Sequence, residues 1–521
     1  MNLSEKTLSR LLLMAVMLIA LAFHALPGPR TIDDAFITFR YSRNIVSGEG
    51  FVYNPGVHTL GTTTPLYTLL MAAISAVTGG QDFPWYALTV NALAAALTAG
   101  LLFLLLRQIT DSLWVATLAG LLWGLSPTSV TFAVGGMETP VNILWLVAGM
   151  TCWVTRRFVL LGIFAALGFL TRIDSVLWSG PLLLAQLAEF WFTRRRQPLL
   201  ARLPWRTWLV GLLVVTPWLL FAWAYFGSPV PNSVSAKTVA YIMPPGAALM
   251  TFFRAYIVPF SEYQLLGSAG VMLMTVIYLA LSVIALLWIA RQRPRLLPLA
   301  LYPWLYLLVF ALANPLIFRW YLAPPLPMLM TLLLIGAWRV VEAVRVQRRA
   351  PALALAGGLS VLWVSTSLAG WTLQPNHGPQ RPAPEMAWHQ IEVYYEQIGR
   401  RLRDELGVTA ETRVASADIG AVGYFSGATI VDTVGLVTPE LSVYYPVDPA
   451  LIPDEQNYAI PPQLIYDTAP AFIVTMEAFV RLGLEQEAAF HERYTLIHEI
   501  PTDFYGTGMR LYAARGANTT Q

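Results

Sequence analysis

The sequence predicts a mostly α-helical, polytopic membrane bundle of about 11 spans, followed by a C-terminal extracytoplasmic α/β domain. Three observations carry this expectation: the hydrophobic share, the recurrence of long apolar runs, and a division of charge along the chain. Hydrophobic residues make up 56% of 521 positions and charged residues 12%, about half the charged share usual in a soluble globular protein. Up to Trp371 the chain carries 24 Lys+Arg against 11 Asp+Glu, which leaves 9 against 19 of the totals 33 and 30 for the remainder. A basic membrane unit, residues 1–373, is therefore expected to precede an acidic aqueous domain, residues 374–521.

The first apolar run, Leu11–Leu26, follows Lys6 and Arg10 and has no convincing small-residue cleavage site after it, so it reads as an uncleaved first span. Further spans are expected at 84–106, 113–134, 175–192, 208–226, 268–290, 296–313, 316–338 and 352–371. Two shorter runs, 140–154 and 158–171, form a hairpin that returns the chain to the same side. Pro65–Thr78 is apolar but short, and reads as interfacial. Trp (18) and Tyr (22) are abundant, as suits amphipathic rings at the two membrane interfaces. The single cysteine, Cys152, excludes an internal disulfide and any Cys-based zinc site, and its apolar surroundings point to packing.

The positive-inside bias fixes sidedness. With Pro65–Thr78 not spanning, 17 Lys and Arg residues fall on the cytoplasmic side and 7 outside, and the N-terminus is cytoplasmic. If that segment crossed, every later basic cluster would change sides. Asp33, Asp34, Glu138, Arg172, Asp174, Lys237 and Arg319 then share the outer side. Charges near membrane depth are costly, so their convergence on one side marks a functional site.

The first outer loop, 27–83, carries "TIDDAFITFRYSRNIVSGEGFVYNPG" from Thr31. At 100° per residue Ala35, Phe36, Phe39 and Val46 form an apolar arc opposite Asp33, Asp34, Tyr41 and Asn44. A short helix lying on the membrane and ending near Gly48 is expected. Its first-turn acids suit the helix dipole, but two adjacent carboxylates exceed what an N-cap needs. Such a pair can serve as a general base or as metal ligands. The following "GTTTPLY" is a turn signal that returns the chain to the membrane surface.

"DDAFITFRYSRNIVSGEGFVYNPG" with "TTTPLYTLLMA" resembles the opening of the GT-C superfamily of lipid-phosphate-sugar-dependent glycosyltransferases, and within it the branch of mycobacterial-type terminal arabinofuranosyltransferases. "GGMETP" (Glu138), "TRIDSVLW" (Arg172, Asp174), "PNSVSAK" (Asn232, Lys237), "FRWYLAPPLP" (Arg319) and "DIGAVGYFSGATIVDTVGL" fit the same pattern. The resemblance implies inverting-type transfer of a sugar, a pentofuranose among the candidates, from a polyprenyl-phosphate donor to a glycan, lipid or protein acceptor of the cell envelope. It maps the catalytic acidic pair onto Asp33 and Asp34.

Such transfer needs a base for the acceptor hydroxyl and positive charge for the departing phosphate. Asp33, the narrow choice, or Asp34 supplies the first; Lys237, Arg319 and Arg172 are the candidates for the second. Arg172 and Asp174 are also close enough in sequence to neutralise each other. Glu138, Asp174, Tyr41, Asn44 and Asn232 are candidate substrate-binding residues. No cofactor is demanded by any motif, but Asp33, Asp34 and Glu138 are candidate ligands of a divalent metal. The six histidines, His24, His58, His377, His389, His491 and His498, show no metal-pair spacing. The partners expected are the lipid-linked donor, its acceptor and membrane lipid, with no nucleic acid.

In the C-terminal part, "MAWHQIEVYYEQIGRRLRDEL" reads as an amphipathic helix, and "TRVASAD", "ATIVDTVG", "AFIVTM", "YTLIHEI" and "GMRLYAA" as short strands. "GAVGYFSG" is a lone glycine-rich turn, a weak nucleotide signal without a Walker or dinucleotide motif. The domain is expected to cover the site and help bind acceptor. The alternative function is a transporter or flippase of lipid-linked sugars, which would carry span repeats and charges at the bundle midplane; neither is visible. An outer-face phosphoethanolamine transferase would want a Thr nucleophile with a His/Asp metal set, also not evident.

Overall fold

The computed structural model describes residues 4–260, 263–371, 386–388 and 390–516. The boundary expected at 373/374, with His377 and His389, lies outside them.

The chain is a helical multi-pass membrane protein with a small C-terminal sheet domain. Its helices run α1 (Glu5–Ala25), α2 (Asp33–Val46), α3 (Pro65–Thr78), α4 (Phe83–Thr110), α5 (Leu113–Leu125), α6 (Pro127–Val134), α7 (Thr139–Val154), α8 (Phe158–Thr171), α9 (Val176–Thr193), α10 (Leu199–Arg202), α11 (Trp205–Phe226), α12 (Asn232–Ala240), α13 (Ala247–Ile257), α14 (Tyr263–Gln292), α15 (Leu297–Ala313), α16 (Leu326–Gln347) and α17 (Arg349–Ala369). Among the described residues seven are long and apolar enough to cross a bilayer, or eight if α5 and α6, bent by 45°, count as one span. α3, α7, α8 and α13 are apolar but shorter. The bend between α5 and α6 sits at Ser126–Pro127, where proline supplies the first residue of the new helix but no N–H to continue the old one.

One expected span is displaced. The run 316–338 becomes helical only at Leu326, after a single 3-10 turn at Arg319–Tyr321. Pro315 and the Pro324–Pro325 pair withhold backbone donors there, and the freed segment carries Arg319 and Trp320 towards the site. His24, inside α1, is satisfied within the bundle by Ala20 O at 2.7 Å and Ser129 Oγ at 2.9 Å.

The C-terminal part comprises α18 (Gln390–Asp404), β1 (Arg413–Ser416), α19 (Gly420–Ser426), β2 (Thr429–Asp432), α20 (Pro462–Thr468), β3 (Phe472–Met476), α21 (Ala488–Arg493), β4 (Tyr494–Pro501) and β5 (Gly508–Ala514). The strand order is β2-β1-β3-β5-β4. β1 pairs in parallel with β2 and β3, while β5 runs antiparallel to β3 and β4. Each of the five runs read as strands from sequence holds one. β1, β2 and β3 are buried along nearly their whole length, as parallel strands covered on both faces must be.

α2 does not lie on an open membrane surface. Its residues Asp33, Ala35–Ser42 and Asn44 are buried on every side, because α3 covers one flank and α19 of the sheet domain packs on another. Of the polar residues read from the sequence, Asp33 meets α19, Asp34 faces Lys237, and Tyr41 and Asn44 hold the loop after α2, while Phe36 of the apolar arc packs on Tyr424 and Phe425 of α19.

Candidate active site

α2 holds the sheet domain by matching charge to the ends of one helix. The carboxylate of Asp33 accepts the backbone N–H groups of Gly420 (3.0 Å) and Ala421 (2.7 Å) at the start of α19. Seven residues on, Arg40 donates to the carbonyls of Gly423 (2.5 Å) and Ala428 (2.5 Å) at its end, and also to Tyr53 O and Asn54 Oδ1. Acid at the N-terminus and guanidinium at the C-terminus satisfy groups that a helix leaves orphaned. Contact is so close that a Cβ on Gly420 would lie 1.8 Å from Asp33 O, and one on Gly423 2.0 Å from the Tyr53 hydroxyl. Within "GAVGYFSG", Gly420 therefore serves the close approach of α19 to α2 and Gly423 the approach to Tyr53, while Gly427 ends α19 at a positive φ. Burial, and next the Asp418 carboxylate, push the pKa of Asp33 well above the usual range, and the Ala421 N–H pulls it back.

Asp34 points elsewhere. It borders a cleft of about 90 Å³ lined by Thr62–Thr64, Glu138, Arg172, Lys237, Trp320, Tyr321 and Leu436. Lys237 Nζ is 3.7 Å from Asp34 Oδ2 and lies over the Phe318 ring, 4.4 Å from its centroid. Thr64 Oγ1 is 3.0 Å from Thr62 Oγ1 and 3.2 Å from Thr38 Oγ1, which makes one wall a hydroxyl cluster. Deeper in, Arg172 grips Asp174 through Nε (3.0 Å) and Nη2 (2.9 Å) and Glu138 through Nη1 (2.7 Å). Tyr306 donates to Asp174 at 2.9 Å. One guanidinium thus bridges two carboxyl groups.

A second cleft, of about 300 Å³, lies between bundle and sheet domain and shares Asp34 and Trp320 with the first. Its lining includes Asp33, Tyr241, Arg319, Glu392, Tyr395, Asp418, Asn457, Tyr458, Phe479 and Tyr505. Arg319 approaches Glu392 at 3.6 Å. Tyr395 donates its hydroxyl to Asp418 Oδ2 at 2.7 Å. Burial raises the pKa of Asp418 to about 6, opposed by the Tyr395 hydrogen bond, with Asp34 adding and Lys237 subtracting.

Asp418, Leu436 and Phe479 all line these clefts, and each follows the C-terminal end of a parallel strand, β1, β2 and β3 respectively. Ligands of open α/β sheets sit at that edge. The loop after β2 is shaped by Asp432, whose fully buried carboxylate accepts the N–H groups of Val434, Gly435 and Val437.

Of the residues singled out in sequence, Asp34, Glu138, Arg172 and Lys237 share the first cleft, Asp174 braces it from behind, and Arg319 stands in the second. Tyr41, Asn44 and Asn232 line neither cleft. Tyr41 bridges Thr59 O and Gly61 N, Asn44 holds Val52 O and Tyr53 O, and Asn232 holds Gly435 O and Leu436 O. Each fixes a loop that forms or backs a wall. Sequence reasoning passed over Thr62–Thr64, read only as a turn, and gave no role to Tyr395, Glu392 or Asp418, the last noted only as a strand end.

The suggested metal trio does not converge. Asp33 is taken up by α19 and Glu138 by Arg172, and among the described residues no group of three His, Cys, Asp or Glu is arranged to hold an ion.

Residues 384–517 match a family described as a domain of unknown function, DUF8728. In sequence the chain is 26% identical over 235 residues to the terminal beta-(1->2)-arabinofuranosyltransferase of Mycobacterium tuberculosis; the match covers 40% of this chain and 35% of that protein. The chain thus spans about a third of the length of that curated relative. Among solved structures, arabinofuranosyltransferase AftD from Mycobacteria aligns with 100% of this chain and 40% of its own at 12% identity and a TM-score of 0.44. The Saccharomyces cerevisiae protein O-mannosyltransferase Pmt1-Pmt2 complex aligns with 46% of this chain and 36% of its own at 15% identity and a TM-score of 0.34. The resemblance carried by the first-loop motif is thus matched by sequence similarity to a mycobacterial arabinofuranosyltransferase.

Proposed function

We propose that this chain is a membrane glycosyltransferase that moves a sugar, with inversion, from a polyprenyl-phosphate donor to a hydroxyl of an extracytoplasmic acceptor, with Asp34 as general base. The observation that carries this reading is Asp34 itself, which borders both clefts and lies 3.7 Å from Lys237. A base must touch the acceptor hydroxyl, and a cation must sit where phosphate leaves; one junction offers both.

The first cleft suits the donor. Val234 on its wall, and Ile173 and Val176 beside Arg172, are exposed apolar side chains, a fitting entry for a polyprenyl tail. The acceptor then comes through the second cleft. The Asp34 carboxylate takes the hydroxyl proton, the acceptor oxygen bonds to the anomeric carbon, and the bond from that carbon to the phosphate oxygen breaks. Its electron pair leaves on the phosphate, whose charge Lys237 receives. Arg172, held from behind by Asp174, serves chiefly to position Glu138 in the cleft, and Arg319 acts from the second cleft.

In this reading the N-terminus is cytoplasmic, about 11 spans follow, and the unit 374–521 is extracytoplasmic. The 17-to-7 distribution of basic residues supports that orientation. The functional test incubates purified protein with a panel of polyprenyl-phosphate sugars and measures released polyprenyl phosphate. A pentofuranosyl donor heads the panel because the curated relative is an arabinofuranosyltransferase. Release from no donor, in the presence of cell-envelope glycan, lipid and peptide acceptors, would sink the reading.

A further inference from the structure

The matched domain of unknown function supplies a carboxylate to the same junction that holds Asp34. Asp418 stands two residues after β1, at the strand edge turned to the bundle, and lines the second cleft with Asp34. One of its oxygens, Oδ2, is occupied by Tyr395, which fixes the group's direction; Oδ1 accepts no hydrogen bond from the described residues. Around it stand the rings of Tyr241, Tyr458 and Tyr505 and the amide of Asn457. Amphipathic rings with a few aimed polar groups are what orient a small polar ligand in a pocket.

We infer that Asp418 orients the acceptor, its Oδ1 taking a second hydroxyl of the same molecule whose first hydroxyl is presented to Asp34. The acceptor is therefore a polyol ring rather than a single-hydroxyl serine or threonine side chain. Of the four carboxylates that line the cleft, Asp33 is taken up by α19 and Glu392 faces Arg319, which leaves Asp34, paired to the phosphate-side lysine, and Asp418 to meet two hydroxyls. Asp418 acts here as a positioning and specificity residue, and the assignment rests on the transferase reading above.

The test uses the full-length protein with one donor that supports transfer. Its acceptors are methyl pentofuranosides and hexopyranosides, their singly deoxygenated analogues, and a Ser/Thr peptide. For Asp418→Ala the acceptor KM is expected to rise roughly tenfold to a hundredfold, as for loss of a hydrogen bond to a charged group, with donor affinity within about twofold and kcat changed far less than KM. One deoxy analogue should lose as much with the wild type and lose nothing further with the variant, since both remove the same bond. Tyr395→Phe, which frees the carboxylate to turn, should give a smaller KM rise in the same direction. Equal acceptor KM in wild type and Asp418→Asn overturns the inference and leaves the transferase reading intact, as does efficient use of the peptide. Absence of transfer by the wild type overturns both.

Discussion

Asp34 meets Lys237 at 3.7 Å where two clefts join, whereas its neighbour Asp33 turns to the backbone of Gly420 and Ala421. In the proposed mechanism a single residue step along α2 thus separates chemistry from anchoring. Asp34→Asn is expected to slow transfer by about 10²–10⁴-fold, the usual cost of losing a positioned general base, with little change in thermal stability. Asp33→Ala should instead lower stability by about 1–3 kcal/mol, since it leaves two buried N–H groups without acceptors. Thermal unfolding and single-turnover transfer, measured on both variants, separate the roles. A stable but inactive Asp33→Ala beside an active Asp34→Asn would reverse the assignment.

Lys237 is the cation that the leaving phosphate would meet. Lys237→Met should weaken donor binding or slow phosphate departure by about 1.5–3 kcal/mol, the worth of a charge-assisted hydrogen bond. Lys237→Arg should recover part of the loss, because charge is kept while the donor geometry changes. Donor affinity from fluorescence quenching, with transfer rate in parallel, checks both variants.

Much of this was open to sequence reading because its physical cause is local. The five strands announce themselves as short apolar runs between turn residues, and Glu138, Arg172, Asp174 and Lys237 stand out as charges beside apolar spans. What stayed hidden depends on distant partners. Helical periodicity sorted Tyr41 and Asn44 onto a polar side but could not reveal that their partners are backbone groups of the loop that follows. Asp418 lies some three quarters of the chain away from Asp34, and only the docking of α19 on α2 brings them to one cleft. Thr62–Thr64 carried a turn signal that masked their place in a wall.

The glycines of α19 make the docking itself testable. A methyl on Gly420 would fall 1.8 Å from Asp33 O, a backbone atom that cannot step aside. Gly420→Ala is expected to push α19 off α2 and destabilise by about 1–3 kcal/mol or more, in the range of core overpacking. Transfer should fall with it, because Asp418 and Leu436 move with the sheet domain. Hydrogen exchange at α2 and α19 should accelerate together; protection equal to wild type would show that the contact tolerates the methyl.

Acidity gives the last prediction. Asp418 titrates near pH 6, raised chiefly by burial; Tyr395 on α18 and Lys237 on α12 oppose the shift, Asp34 on α2 adds to it, and Asp33, Glu392 and Arg319 line the same cleft. Above about pH 6 the carboxylate is an anion that accepts an acceptor hydroxyl well, and below it the group is protonated and accepts poorly. Acceptor KM should therefore climb as pH falls through about 6, and Asp418→Asn should hold a nearly flat KM close to the wild-type low-pH value. The stability sign runs the opposite way. A folded pKa above the unfolded one means the folded state binds the proton more tightly, so this group favours folding most below the ordinary carboxylate pKa. That contribution is lost as pH rises towards 6. Asp418→Asn, neutral throughout, should thus raise Tm relative to wild type more at pH 7.5 than at pH 4.5. A KM profile in the variant as steep as in wild type would assign the acidic limb to another group.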